Sequence, residues 1–397
     1  MKRPGFFLCY FETTRQCDQG CPNCMTGRAT PPARAELSTD EAKRLVLDEL
    51  KTICPKGAVS FSGGEILQRA DHLELIAHNA KNGLHTFVNT SGSGLDSARL
   101  RGLKSAAAGR LTLGFSLDSV DDDVQKKCRS GNRERLERLL SLCDENAVPY
   151  FVLVTISNQN LESLKSTMSW LLAKKIAVIR SPFVPRGSAA KARHLCFNRN
   201  DMGSKIHPAL RDNPLSYVSH TPFFAAPDVT HLTLGGRGLN LGNLGCQAGR
   251  TFIGINAEGD VAPCVHLLDT PVCCGNVREQ PLSRIIAESE IMRTLRGERP
   301  AKGKCGRCRY GDSCRGCRSL AHYLTGDYLA EDPTCFFDPE SIETRSPYEE
   351  TQTANARVFL SHLVQNPPWK DIFGARGRLG VNLLNLKARL NALLGNR

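Results

Sequence analysis

The sequence predicts an α/β protein: a parallel sheet with helices outside it, followed by a smaller cysteine-rich region. Two observations carry this. Six short β-rich apolar runs alternate with amphipathic stretches through the first half of the chain, the pattern of a parallel sheet covered by helices. From Cys246 onward the composition changes: nine of the seventeen cysteines fall between Cys246 and Cys335, among many glycines.

The strand candidates are Phe6–Thr13, Ala58–Ser62, His85–Thr90, Leu111–Leu117, Tyr150–Ile156 and Ala177–Val184. Most run into small polar residues, and sheets of this kind carry their chemistry at the C-terminal strand ends. The clearest helix candidate is Ser38–Ile53. Ser38 and Glu41 have the spacing of a capping box, and Ala42, Val46, Leu50 and Ile53 fall on one apolar face. Residues 185–245 are irregular and rich in Pro, Gly and Asn. The expected organisation is therefore a core over 1–185, a bridge over 186–245, a cysteine-rich domain over 246–335 and a tail over 336–397. The tail ends in a basic amphipathic helix, Leu379–Leu394.

With 397 residues, 41% of them apolar and 23% charged, the composition is that of a globular protein rather than a disordered one. No apolar run approaches the roughly 18 residues of a membrane span. The basic start Met1-Lys2-Arg3 is followed by a short apolar stretch that meets Glu12 and Arg15, which does not read as a signal peptide. A cytoplasmic location is expected. There, seventeen cysteines are unsuited to a disulfide framework and read as metal or iron–sulfur ligands. The net charge of +12 favours anionic partners, or it is simply a solvated surface.

Cys17, Cys21 and Cys24 form C-x3-C-x2-C just after the first strand candidate. Three thiolates on one loop can hold three corners of a [4Fe–4S] cubane and leave the fourth iron open to a small chelating molecule. A zinc site is the competing reading, but it wants a fourth His or Cys, and no His lies nearby in sequence. Gly63-Gly64-Glu65 follows the second strand candidate. Gly lets backbone approach closely, and Glu65 offers a carboxylate to an ammonium group. Together these motifs resemble the radical S-adenosylmethionine (SAM) superfamily over about residues 5–185. The resemblance implies a partial (β/α)6 TIM-type barrel, a catalytic [4Fe–4S] cluster on the three cysteines, and SAM bound by Gly63, Gly64 and Glu65. By the same resemblance Asn89, Ser91, Ser116, Asp118 and Arg129 are candidate contacts for SAM ribose and carboxylate. Asn23 stands where the family usually has an aromatic residue.

Further on come Cys246 and Cys264 in C-x12-G-x4-C, then Cys305, Cys308, Cys314 and Cys317 in C-x2-C-x5-C-x2-C, then Cys335. This resembles the SPASM domain, the auxiliary-cluster module of peptide-maturing and cofactor-building radical SAM enzymes. The stretch from Gly316 to Cys335 resembles the haem d1 and alternative haem pathway branch. The resemblance implies one or two auxiliary [4Fe–4S] clusters: a distal one on Cys305, Cys308, Cys314 and Cys335, and a proximal one on Cys246, Cys264 and Cys317. The proximal set is one ligand short, with Cys273 or Cys274 as candidates or the position left open. Between the last pair only two residues stand, Arg315 and Gly316, where the family often has three. Structural zinc is the alternative for these sites too. Cys9, Cys54, Cys128, Cys143 and Cys196 read as buried small hydrophobes.

The resemblance implies reductive cleavage of SAM to a 5′-deoxyadenosyl radical and net oxidation of a substrate. Oxidation of a peptide or protein side chain is the first reading. Tetrapyrrole or other small-cofactor biosynthesis, such as oxidative decarboxylation, is the second. The triplet begins at residue 17, leaving no room ahead of it for a leader-binding domain, which weighs against a leader-recognising maturase. A zinc-binding nucleic-acid module is a remote third, which would not need Gly-Gly-Glu, and no nucleic-acid partner is expected. The remaining partners are an electron donor such as flavodoxin or ferredoxin and, through the basic tail helix, weak contact with a membrane surface.

Overall fold

The computed structural model describes residues 8–26, 34–55, 57–211, 216–219, 233–234, 237–238, 246–297, 300–308, 311 and 314–339. The tail helix Leu379–Leu394 and most of the stretch from 212 to 245 lie outside the described residues. In chain order the strands are β1 (Leu8–Thr14), β2 (Ala58–Gly63), β3 (His85–Asn89), β4 (Leu111–Ser116), β5 (Tyr150–Ile156), β6 (Val178–Pro182), β7 (Ser216–Ser219), β8 (Thr233–Leu234), β9 (Arg237–Gly238), β10 (Phe252–Ile255), β11 (Asp260–Ala262) and β12 (Gly275–Asn276). The first six fall on the six strand candidates with ends shifted by at most two residues, and helices separate them. This is the expected α/β, partial TIM-type architecture.

Contacts divide the chain into two compact units. The first comprises Met1–Ser163, Pro182–Phe197 and Gln247–Pro300; the second comprises Leu164–Ser181, Asn198–Cys246 and Ala301–Arg397. In the first unit β1 to β5 pair in parallel, each with the next. Such strands are covered on both faces, so their apolar residues are near-continuous rather than alternating. Cys9, Phe11, Val59, Phe61, Val88, Leu113, Phe115, Val152 and Val154 are all buried.

The free edge of β1 is taken by β10, which pairs with it in parallel from Leu8 opposite Phe252; β11 and β12 follow antiparallel. By contacts, residues 247–300 therefore group with the barrel rather than with the later cysteines. The physical reason is edge satisfaction: β10 pairs with backbone groups of β1 that β2 leaves unpaired. The second unit holds the parallel pair β6–β7, the β8–β9 pair, and the helices Gly303–Arg307 and Arg318–Thr325.

The predicted helix is present as Thr39–Glu41, Ala42–Leu47 and Asp48–Ile53 in continuous succession. The capping box forms: Ser38 accepts from the Glu41 amide, and the Glu41 carboxylate accepts from the Ser38 amide. The middle segment is π-helical. Its wider turn brings Leu47 into the core beside Ala42, Val46 and Leu50 and leaves Ile53 half-buried. Among the described residues no helix is long and apolar enough to cross a membrane.

Candidate functional site

β1 runs straight into the loop that carries Cys17, Cys21 and Cys24, all half-buried free thiols. Two of the three sulfurs accept backbone hydrogen bonds. The Gln19 amide donates to Cys17 Sγ at 3.4 Å and the Ser130 amide to Cys21 Sγ at 3.4 Å. Burial pushes the Cys17 thiol up to about 11, and Glu65, Cys24 and Cys21 add to the rise by standing close to it. Asn23, at the family's aromatic position, donates to Gln159 Oε1 at 2.7 Å and its amide to the Cys128 carbonyl.

The Gly-Gly-Glu turn lies directly against this loop. The Gly64 amide donates to the Thr14 carbonyl at 2.6 Å and the Glu65 amide to the Gln16 carbonyl at 2.7 Å. A β-carbon on Gly64 would lie 2.0 Å from the Gln16 carbonyl oxygen, and one on Gly63, whose φ is +121°, would lie 2.4 Å from that of Thr14. The close approach that requires glycine here is therefore to the cysteine loop's own main chain.

Glu65 is buried. Its Oε1 accepts from the Thr90 hydroxyl at 2.7 Å, and its Oε2 from both the amide and the hydroxyl of Ser91 at 2.7 Å. The carboxylate is thus locked in orientation beside the cysteine loop. Thr90, which sequence reasoning passed over, holds one carboxylate oxygen while Ser91 holds the other. Asn89 ends β3 with its Nδ2 on Ser60 and its buried Oδ1 without a partner. Ser116 ends β4 half-buried. Asp118 is fully buried and fully engaged: Oδ1 accepts from the Thr155 amide at 2.8 Å, and Oδ2 pairs with Arg129 at 3.0 Å. That geometry makes Asp118 the counter-ion that holds Arg129. Burial disfavours the Arg129 charge, but Asp118 and the nearby Cys21 and Cys24 hold it protonated.

An ion network unseen in the sequence underlies the loop. Arg186 is buried, makes a two-bond pair with the buried Glu12, and also reaches Asp269 at 2.8 Å. Arg15 pairs with Glu258 at 2.7 Å and with Asp269 at 2.9 Å. Burial opposes ionisation of Asp269, yet hydrogen bonds from Arg15 and Asn256 and the charge and hydrogen bond of Arg186 hold its carboxyl well below the usual range. Arg15, Arg186 and Arg129 are therefore each matched by a carboxylate.

Within the second unit, one cavity is lined by Cys305, Cys308, Cys314 and Cys335 together with Lys304, Gly311, Arg315, Gly316, Phe337 and Pro339. These are the four cysteines of the distal set. Cys317, buried, stands apart from that cavity and close to Cys246. Asp332, fully buried, lies between the groups: its amide donates to Cys305 Sγ at 3.3 Å, and its Oδ2 accepts from the Cys317 amide at 2.7 Å. Cys264 belongs to the first unit, where it is buried ahead of the Val265–Leu267 turn. In the same unit Cys273 is exposed, bonding to its own Gly275 carbonyl, and Cys274 lies by Ser289. The five cysteines read as hydrophobes, Cys9, Cys54, Cys128, Cys143 and Cys196, are all buried.

The residues suit iron–sulfur clusters. The thiols come in sets, amide N–H groups point at sulfur as they do around cluster thiolates, and four cysteines face one cavity. Among the described residues no three His, Cys, Asp or Glu side chains converge on one point.

A partial α/β barrel with a cysteine loop at the end of its first strand, in a chain that also holds a separate cysteine-lined cavity, defines a class of iron–sulfur protein. The family comparisons agree: residues 11–171 match the radical SAM superfamily and residues 246–318 the SPASM iron–sulfur cluster-binding domain. The chain thus carries a radical SAM domain and a SPASM domain. Its cofactors are a [4Fe–4S] cluster, SAM, and auxiliary iron–sulfur clusters in the SPASM domain. Among similar proteins, an AdoMet-dependent heme synthase of Methanosarcina barkeri is 29% identical over 84% of this chain and 97% of that protein. An Fe-coproporphyrin III synthase of the same organism is 27% identical over 84% of this chain and 88% of that protein. The solved structure of Streptococcus suis SuiB bound to the precursor peptide SuiA has a TM-score of 0.63 at 17% identity, covering 83% of this chain and 76% of that one. At that identity the likeness is one of fold.

Proposed function

We propose that this enzyme oxidises the carboxylate side chains of a tetrapyrrole, converting a propionate to a vinyl group. The observation that carries this is the nearly full-length similarity to proteins named heme synthase, 97% of whose length the chain covers in one case. It shifts the weight from a peptide side chain, the first reading of the sequence, to the second.

In this proposal Cys17, Cys21 and Cys24 ligate the catalytic cluster, Glu65 faces the SAM ammonium, and Arg129, held by Asp118, pairs with the SAM carboxylate. Thr90 and Ser91 fix the Glu65 rotamer, and Asn89 offers its unpaired Oδ1 to a ribose hydroxyl. Cys305, Cys308, Cys314 and Cys335 ligate the distal auxiliary cluster. Cys246 and Cys317, which stand close together, are two ligands of the proximal one. Bound there, reduced cluster and SAM supply a 5′-deoxyadenosyl radical able to take a hydrogen atom from an unactivated carbon. A hydrogen atom passes from the propionate carbon next to the ring to that radical, giving 5′-deoxyadenosine; carbon dioxide then leaves, the remaining electron would pass to an auxiliary cluster, and a vinyl group remains. The reducing electron for SAM comes from a flavodoxin- or ferredoxin-type donor.

The test is anaerobic turnover of reconstituted enzyme with SAM, reductant and Fe-coproporphyrin III. Porphyrin-dependent 5′-deoxyadenosine with vinyl products by mass spectrometry supports the proposal. Release of 5′-deoxyadenosine that responds only to a peptide fraction returns the peptide reading.

A further inference from the structure

We propose that Arg318 and Asp332 are opposed outer charges that set the reduction potential of the distal auxiliary cluster. Arg318 is 1% exposed, and a buried guanidinium is costly unless it meets an anion. Its Nε donates to the Gly316 carbonyl at 3.3 Å and its Nη1 to the carbonyls of Tyr328 and Ala330 at 3.0 and 2.7 Å. Those are neutral acceptors. Nη2 is buried with no partner at all.

That orphan donor stands beside the cysteine-lined cavity. A β-carbon on Gly316 would lie 2.4 Å from Arg318 Nη2 and 3.1 Å from Cys305 Sγ, so both atoms cover the same face of Gly316. Only a residue without a side chain leaves room there, and its φ of +61° also suits glycine. An oxidised [4Fe–4S] cluster with four thiolates carries a net negative charge. Among the described residues no carboxylate bonds Arg318 directly, although Asp332 stands by the same glycine; the cluster supplies a further anion and an acceptor for the free N–H, and hydrogen bonds to cluster sulfur are one of the protein's levers on potential.

Asp332 brings the opposite sign to the same sulfur. Its amide bonds Cys305 Sγ while its carboxylate, satisfied by the Cys317 amide and by the amide and hydroxyl of Thr334, stays buried nearby. A fixed cation favours the reduced cluster and a fixed anion the oxidised one. Both are positioning residues, since neither ligates iron.

The inference rests on Cys305, Cys308, Cys314 and Cys335 holding the cluster, and one experiment separates the two claims. The full chain carrying Cys17→Ala, Cys21→Ala and Cys24→Ala is reconstituted, and its auxiliary clusters are titrated by EPR. Cys335→Ala identifies the distal signal; if that signal and its iron persist, the ligand assignment fails. Arg318→Gln is expected to move the distal midpoint negative and Asp332→Asn to move it positive. Each is expected to change the reduction equilibrium about tenfold, about 59 mV for one electron. Arg318→Lys, which keeps the charge, restores most of the shift. Shifts of the same sign, or none, overturn the proposal, because a merely structural role has no reason to respond to the sign of the charge removed. If Arg318→Gln loses its iron, Arg318→Lys and Asp332→Asn still decide it: an unmoved midpoint in Asp332→Asn is fatal.

Discussion

At the N-terminal loop the thiols are half-buried, and the hydrogen bonds that reach their sulfurs come from backbone amides of Gln19 and Ser130. In the C-terminal group Cys305 and Cys317 are buried beside full charges, Asp332 and Arg318. The first loop is seated by main chain packed on main chain, Gly64 against Gln16, with the charges of Glu65 and Arg129 beside its thiols; in the second the Asp332 amide bonds Cys305 Sγ and the Asp332 carboxylate and Arg318 are buried alongside. The contrast follows from the work each has to do. A site that must admit SAM to an open iron keeps its rim accessible and fixes its shape through the backbone. A cluster ligated by four cysteines, as proposed for the distal set, need admit nothing, so charge can be buried against it.

The largest effect that tests this contrast is loss of any loop cysteine. Cys17→Ala, Cys21→Ala or Cys24→Ala should bring 5′-deoxyadenosine formation below detection and remove about four iron atoms, leaving the C-terminal iron in place. A variant that still cleaves SAM at the wild-type rate breaks the assignment.

Next is Gly64→Ala. The clash with the Gln16 carbonyl is backbone on backbone, so nothing flexible can yield. A cost of about 1–3 kcal/mol in local stability and a severe loss of SAM cleavage are expected, with C-terminal iron unchanged. Equal activity in this variant would mean that the loop is not seated by that turn.

Asp118→Asn should act more mildly. It leaves Arg129 without its counter-ion, at a cost of about 1–3 kcal/mol, and should raise the KM for SAM more than it lowers kcat. A pure kcat effect would place Arg129 elsewhere in the reaction.

The smallest effect concerns the barrel apart from both cysteine groups. His85 is buried, bonds Thr112 at 3.0 Å, and has its pKa pushed down to about 4 by burial, with Arg110 adding to the shift. A histidine with a depressed folded pKa contributes stability that is present above its unfolded value of about 6.5 and is lost as pH falls toward 4. Thermal unfolding temperature should therefore drop through that window, and His85→Phe should flatten the drop without changing SAM cleavage at neutral pH. An identical pH profile in the variant would remove His85 from the account.

Much of the fold was legible because its signals are local. β1 to β6 fall where apolar runs alternate with amphipathic ones, and the Ser38–Glu41 box needs only residues three apart. The π-helical turn that buries Leu47 was not legible, because the wider turn belongs to the packing of that helix and not to its periodicity. At the site, the triplet Cys17, Cys21 and Cys24 stood out by its spacing, while Glu65 and the distal set Cys305, Cys308, Cys314 and Cys335 came from the family resemblance; the structure puts those last four around one cavity. Thr90 was within view, inside Asn89-Thr90-Ser91, but a threonine at a strand end has many uses, and only its hydrogen bond to Glu65 distinguishes it.

The sequence by itself determined the cysteine spacings, the order of strands and helices, and with them the radical SAM class, since each rests on residues close together in the chain. Only the tertiary structure decided that β10 closes on β1, that Arg186 meets Glu12 across 174 positions and Arg15 meets Glu258 across 243, and that Arg318 and Asp332 flank the distal cavity. A guanidinium or carboxylate carries no mark in sequence of which opposite charge it will meet. Its partner is chosen when the chain folds and water is excluded, because a charge left unpaired in the interior is too costly to keep.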